Sequence, residues 1–123
     1  MQKKILVIDD DQQFRTMLVE MLERKNYQVI SASDGEEGII IWQSLNPDLV
    51  ITDIIMPNKE GIETILEMKR LNKDVKIIAI SGGGRTNAQD NLLSAKLLGA
   101  SIIISKPFES NELISAVRKL IGD

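Results

Sequence analysis

Chemically capable side chains stand at the ends of apolar runs. Asp9 and Asp10 follow Lys4-Ile5-Leu6-Val7-Ile8, and Asp53 follows Asp48-Leu49-Val50-Ile51-Thr52. Ser81 follows the stretch 75–80, and Lys106 follows Ser101-Ile102-Ile103-Ile104-Ser105. Carboxylates brought to one point repel each other and raise each other's pKa unless a cation lies among them. If these run ends converge, the arrangement is a candidate divalent-metal site. Each residue also has a plainer reading. Asp9, Asp10 and Asp53 can be solvated strand-terminating acids, Asp11 a helix N-cap, and Ser81 a turn residue.

Convergence depends on the elements that carry these residues. Apolar runs of this length flanked by turn residues read as strands buried on both faces, which implies a parallel sheet. Strands are expected over 4–8, 27–32, 48–52, 75–80 and 101–105. Phe14, Met17, Leu18, Met21 and Leu22 recur at helical spacing, with Arg15, Glu20, Glu23 and Arg24 on the other face. Ser33 with Glu36 has the pattern of a capping box opening a second helix that runs to Leu45, where Asn46-Pro47 ends it. Ile62, Ile65, Leu66, Met68 and Leu71 mark a third helix, and 88–98 a fourth with Gly99 as its C-terminal cap. Ser110 can cap a last helix carrying Leu113, Ile114, Val117, Leu120 and Ile121. Strand and helix alternate throughout, so the fold class expected is α/β: a doubly wound, flavodoxin-like (βα)5 sandwich with a five-stranded parallel sheet in order 2-1-3-4-5. In that order the first and third strands are neighbours, and ligands bind outside the carboxyl ends of the strands.

Composition sets the class. The chain has 123 residues, 43% hydrophobic and 27% charged, with a net charge of −3. That suits one domain, read here as residues 1–123, and argues against a non-specific nucleic-acid binder. There is no Cys and no His, so disulfide chemistry, a zinc triad and a Ser-His-Asp triad are all excluded. No apolar stretch approaches the roughly 18 residues of a membrane span. A cytoplasmic protein is expected, with no membrane partner.

The spaced motifs together resemble the receiver domain of two-component response regulators. They are Ile5-Leu6-Val7-Ile8-Asp9-Asp10-Asp11, Asp53-Ile54-Ile55-Met56-Pro57 with Gly61 following, Ile80-Ser81-Gly82, and Lys106-Pro107-Phe108. The resemblance runs from Lys3 to Ile121. It implies that Asp53 is the phosphoacceptor, a carboxylate nucleophile that forms an aspartyl-phosphate. It implies that Asp9 and Asp10 hold Mg²⁺ together with Asp53 and the backbone carbonyl of Ile55; Mn²⁺ can substitute. Lys106 would bind the phosphoryl oxygens or, at rest, pair with Asp53 or Asp10, and Ser81 would move to hydrogen-bond the phosphate. It also implies a cis bond before Pro107. Phe108 itself has two readings, packing under the last helix, which is the one expected, or contact with a partner. The phosphoryl donor would be a sensor histidine kinase or histidine phosphotransfer protein, and the readout an unknown downstream protein rather than nucleic acid. Assisting its own phosphorylation and dephosphorylation would not make the chain a classical enzyme. No output domain follows the last helix in this sequence, so a stand-alone regulator is one expectation and a piece of a longer one the other.

Some positions depart from the family. Ile104 stands where many receivers carry an aromatic that swings inward, so core packing is expected there, with signalling through the loop and helix after Ser81. Ile55 and Gly83 occupy positions that tune phosphate lifetime, and neither side chain can position a water; slow self-hydrolysis is expected. Arg85 reads as a solvated loop residue. Among rivals, Asp9-Asp10-Asp11 contains the Asp-x-Asp of haloacid-dehalogenase-type phosphatases, but Gln13 stands where Thr or Val belongs and Asp53 would have no role. A flavodoxin-type FMN module needs a Ser-, Thr- and Gly-rich loop where this chain is acidic. A receiver fold that only docks, without phosphorylation, is the third rival.

Overall fold

The computed structural model describes residues 2–54, 61–81 and 99–122. The described residues form, in chain order, β1 (Lys4–Ile8), α1 (Gln12–Glu23), β2 (Gln28–Ala32), α2 (Gly35–Leu45), β3 (Leu49–Asp53), α3 (Gly61–Leu71), β4 (Ile77–Ser81), β5 (Ile102–Ser105) and α4 (Ser110–Ile121). The strands form one parallel sheet in the order β2-β1-β3-β4-β5, the flavodoxin-like doubly wound order. The expected helix over 88–98, the glycines at 82–84, Arg85, and the stretch 55–60 lie outside the described residues.

The apolar runs are explained by two cores, one on each side of the sheet. Leu6, Ile8, Val50, Ile77 and Ala79 face Ile39 and Trp42 of α2 and Ile65 and Met68 of α3. Their neighbours in sequence, Ile5, Val7, Leu49, Ile51, Ile78 and Ile80, face Leu18 and Leu22 of α1 and Leu113, Ile114 and Val117 of α4. Successive strand residues point to opposite faces, so a strand covered on both sides must be apolar at every position. Each such side chain contributes about 1.5–3 kcal/mol when fully buried. Ile104 is among them, 2% exposed, as expected of a core residue.

The ends of the elements follow local hydrogen bonding, and several differ from expectation. Asp11 caps α1, accepting from the N–H groups of Gln13 and Phe14. The second helix begins one residue later than its apparent capping box: Asp34 is the N-cap and accepts from Glu37 N–H at 2.9 Å, while Ser33 donates its hydroxyl to the Glu37 carboxylate. Asp34 can supply the same acceptor as Ser33 from a position nearer the first turn. Ser110 is likewise inside α4, whose N-cap Glu109 makes no side-chain capping bond. β2 starts at Gln28 because Tyr27 is buried with its hydroxyl donated to the Gly122 carbonyl. β4 starts at Ile77 because Val75 closes a turn onto the Asn72 carbonyl. Asn46 takes the left-handed conformation that ends α2, and Gly99 has φ of 115°. Met17, Leu66 and Leu71, expected on apolar stripes, are each more than 40% exposed: α3 turns Thr64 inward with Ile65 and Met68, and α1 buries fully only Leu18 and Leu22. Among the described residues no helix is long and apolar enough to cross a membrane.

Candidate functional site

Parallel register delivers the polar groups to one end of the sheet. Ile8 of β1 pairs with Thr52 of β3, so the residues that follow, Asp9 and Asp53, are neighbours. Asp53 pairs with Ile80, placing Ser81 one step beyond, and Ser81 pairs with Ser105, placing Lys106 one step beyond that. The backbone ladder continues past the strand ends. Asp9 N–H donates to the Ala32 carbonyl, Ile54 N–H to Ile80, and Lys106 N–H to Ser81. The polar side chains therefore hang from backbone as rigid as the sheet itself.

Asp9 is 1% exposed. Its Oδ1 accepts from Asp11 N–H at 2.9 Å, while its buried Oδ2 has no hydrogen-bond partner among the described residues. Lys106 Nζ lies 4.0 Å from that oxygen. An unsatisfied buried carboxylate oxygen is costly, and the Asp9 carboxyl is pushed up to about 6. Burial is the largest cause; the Asp11 N–H opposes it, the Asp53 charge adds to it, Lys106 opposes it, and Asp10 adds the least. The mutual repulsion expected from the sequence is thus present at Asp9 but secondary to desolvation. Asp53 is 8% exposed, with its Oδ2 3.4 Å from Lys106 Nζ. Asp10 is exposed. One carboxylate oxygen from each of Asp9, Asp10 and Asp53 falls within 4.8 Å of the others. Lys106 pairs with Asp53 as expected, and its second carboxylate is Asp9 rather than Asp10. Ser81 is buried at the end of β4. The Lys106–Pro107 bond is cis. The Ile55 carbonyl and Gly83 lie outside the described residues.

Three carboxylates gathered beside Lys106 are hard oxygen donors that suit a hard divalent ion such as Mg²⁺, Ca²⁺ or Mn²⁺. The orphaned Asp9 Oδ2 is what a cation would satisfy, so the residues present fit the metal implied by the sequence.

Four residues support the site, and the contacts of two of them, Arg15 and Phe14, were not revealed by the sequence. Arg15 donates from Nη1 to the Asp9 carbonyl at 2.6 Å, tying α1 to the end of β1. Sequence placed it on the polar face of α1, and nothing in a helical stripe reports a backbone acceptor six residues earlier. The ring of Phe14 lies under Lys106, with Nζ 3.8 Å from its centroid. Phe108 meets that ring edge-on at 6.0 Å and packs against the core shared by α1 and α4. Gly61, whose N–H donates to the Ile54 carbonyl at 2.7 Å, lets the start of α3 press against the end of β3. A Cβ there would overlap the Asp53 carbonyl oxygen and come within 2.6 Å of Ile54 Cα.

Comparison with known proteins gives a consistent picture. The sequence matches the family described as the response regulator receiver domain over residues 5–118. It is 32% identical over 121 residues to the sporulation initiation phosphotransferase F of Bacillus subtilis (strain 168), spanning 98% of this chain and 95% of that protein. It is 34% identical to the alkaline phosphatase synthesis transcriptional regulatory protein PhoP of the same organism, where 98% of this chain spans 49% of the relative. Among solved structures, a response regulator receiver domain protein from Clostridium thermocellum superposes with a TM-score of 0.90 at 31% identity, covering 97% of this chain and 94% of that one.

Proposed function

The chain belongs to the response regulator receiver domain family, and from that premise we propose that it is the phosphoacceptor module of a two-component system. The observation that carries this reading is the end of β3: Asp53, nearly buried, faces Lys106 at 3.4 Å beside an Asp9 oxygen without a hydrogen-bond partner among the described residues. Asp53 is the nucleophile. One of its carboxylate oxygens attacks the phosphorus of a phosphohistidine on a sensor histidine kinase or histidine phosphotransfer protein. A P–O bond forms, the P–N bond breaks, and the imidazole leaves with the electron pair. Asp9, Asp10, Asp53 and the Ile55 carbonyl would hold Mg²⁺, for which Mn²⁺ could substitute, and such an ion would supply neutralising charge between the carboxylate and the incoming phosphoryl group.

Lys106 leaves its pairing with Asp53 for the phosphoryl oxygens, a shift of one ammonium over a short distance. Ser81, on the next strand, donates its hydroxyl to the same group. Phosphorylation adds about 1.5–2 negative charges and three acceptor oxygens. Drawing Ser81 and Lys106 toward it alters the surface near those strand ends, which a downstream protein reads. With Ile104 in the core, this rearrangement proceeds without an aromatic swinging in strand β5. Residues 1–123 act as one receiver unit in the cytoplasm. Slow loss of the phosphoryl group to water, assisted by the same residues, resets the switch without making the chain a classical enzyme.

Intact mass after incubation with acetyl phosphate tests this reading. A Mg²⁺-dependent gain of one phosphoryl group is expected, absent from Asp53→Asn. Sustained hydrolysis of unrelated phosphate esters would favour the phosphatase alternative. No gain in a folded sample that also fails to bind Mg²⁺ would favour a docking module.

A further inference from the structure

The ammonium of Lys106 has a seat with three sides. Two are carboxylate oxygens, Asp53 Oδ2 at 3.4 Å and Asp9 Oδ2 at 4.0 Å. The third is the face of Phe14, 3.8 Å from Nζ to the ring centroid. The separation from Asp53 is longer than the ideal for a charge-assisted hydrogen bond. The lysine is therefore not locked onto either carboxylate, and its side chain is still 26% exposed. A lysine tip has four rotatable bonds and strong hydration, so in such a place it tends to sample solvent. The negative face of an aromatic ring attracts a cation lying over it, more strongly as water is excluded. Phe14 is fixed for this role. It sits in the first turn of α1, where Asp11 caps the helix through Phe14 N–H, and Phe108 meets its ring at 84°. The backbone of Phe14 is thus held by the cap of α1 and its ring by Phe108.

We propose that Phe14 is a positioning residue for phosphoryl transfer: its ring keeps the Lys106 ammonium beside Asp53, so that the cation is already in place when the phosphoryl group arrives. An alkyl side chain of similar size would fill the volume but exert no such pull, leaving the lysine to be ordered during the reaction. The role in transfer rests on the phosphoacceptor reading; the seat itself does not.

The test separates the two. Lysine side-chain NMR of the full chain, with Lys106 assigned through Lys106→Arg, reads the seat directly. Its Hε and Cε resonances are expected upfield from the aromatic ring current, moving to ordinary lysine values in Phe14→Leu and staying upfield in Phe14→Tyr. In parallel, the initial rate of phosphorylation by acetyl phosphate at saturating Mg²⁺ is expected to fall about threefold to tenfold in Phe14→Leu and to be restored in Phe14→Tyr, as a cation–π contribution of ordinary size requires. Ordinary Lys106 shifts in the wild type would overturn the seat. A Phe14→Leu protein that loses the upfield shift but keeps the full rate would overturn the positioning role. A wild type with the shift but no phosphoryl uptake would overturn the phosphoacceptor reading and, with it, the role in transfer.

Discussion

Strands β1 and β2 lie side by side, Ile8 opposite Ala32, and each turns into a helix through acidic residues. Their acids nevertheless do different work. After β2, Asp34 is half-buried, and its carboxylate accepts the Glu37 N–H of the helix it caps. After β1, Asp11 does the same for α1, but Asp9 is drawn two residues deeper. One of its oxygens receives a backbone N–H and the other has no hydrogen-bond partner among the described residues. Depth in the sheet, not residue type, separates an acid that stabilises a helix from one kept ready for a ligand. The difference also teaches where stability has been given up. Burying a carboxylate without full satisfaction opposes folding, and such positions persist where function needs them.

The crowded side of this comparison can be broken at Gly61. Adding a methyl group there forces the start of α3 away from the Asp53 carbonyl. Gly61→Ala is expected to lower stability by about 3 kcal/mol, read as a lower urea midpoint, and to reduce phosphoryl uptake as Asp53 shifts.

Asp9→Asn should act in the opposite direction. The folded-state pKa of Asp9, about 6, stands above the ordinary value of 3.8. The folded state therefore takes up this proton first. The stabilisation from a neutral Asp9 is complete below the unfolded value and is lost as pH rises through 6. In metal-free buffer at pH 7.5, Asp9→Asn should be more stable than the wild type by on the order of 2 kcal/mol. That advantage should shrink as pH falls from 6 and vanish near 4. Urea titrations of both proteins across this range check it, and an advantage independent of pH would remove the electrostatic explanation.

The other side of the comparison predicts a smaller effect. Asp34→Ala removes the cap of α2, costing about 1 kcal/mol, with no change in Mg²⁺ binding or phosphoryl uptake.

Most of the sheet was legible because it is covered on both faces. Where the middle positions of β1, β3 and β4 are apolar on both faces, the strands stand out in the sequence and the polar residues at their ends mark the site. Helix starts were less legible: Ser33 and Ser110 look like caps, but a cap is chosen by which acceptor reaches the first-turn N–H groups, and Asp34 outcompetes its neighbour. The apolar stripes of α1 and α3 were read too widely, since Met17, Leu66 and Leu71 fall outside the arc each helix presents to the sheet. At the site, the gathering of Asp9, Asp10, Asp53 and Lys106 was legible from charged residues at strand ends, while the choice of Ser81 leaned on the family resemblance. The supports were not legible. Arg15 acts on a backbone carbonyl and Phe14 on a lysine from another strand, and such contacts leave no mark in local spacing. The cause of the raised Asp9 pKa was misjudged for a similar reason, because depth of burial is a property of the folded sheet.

The most direct test of the contrast between buried and capping acids is calorimetric titration of Mg²⁺ into the wild type, Asp34→Asn and Asp9→Asn at pH 7.5. The expected result is one site in the wild type and in Asp34→Asn, and loss of binding in Asp9→Asn. Equal binding by all three proteins, or none by the wild type, would contradict the assignment of the β1 and β3 acids as a cation site.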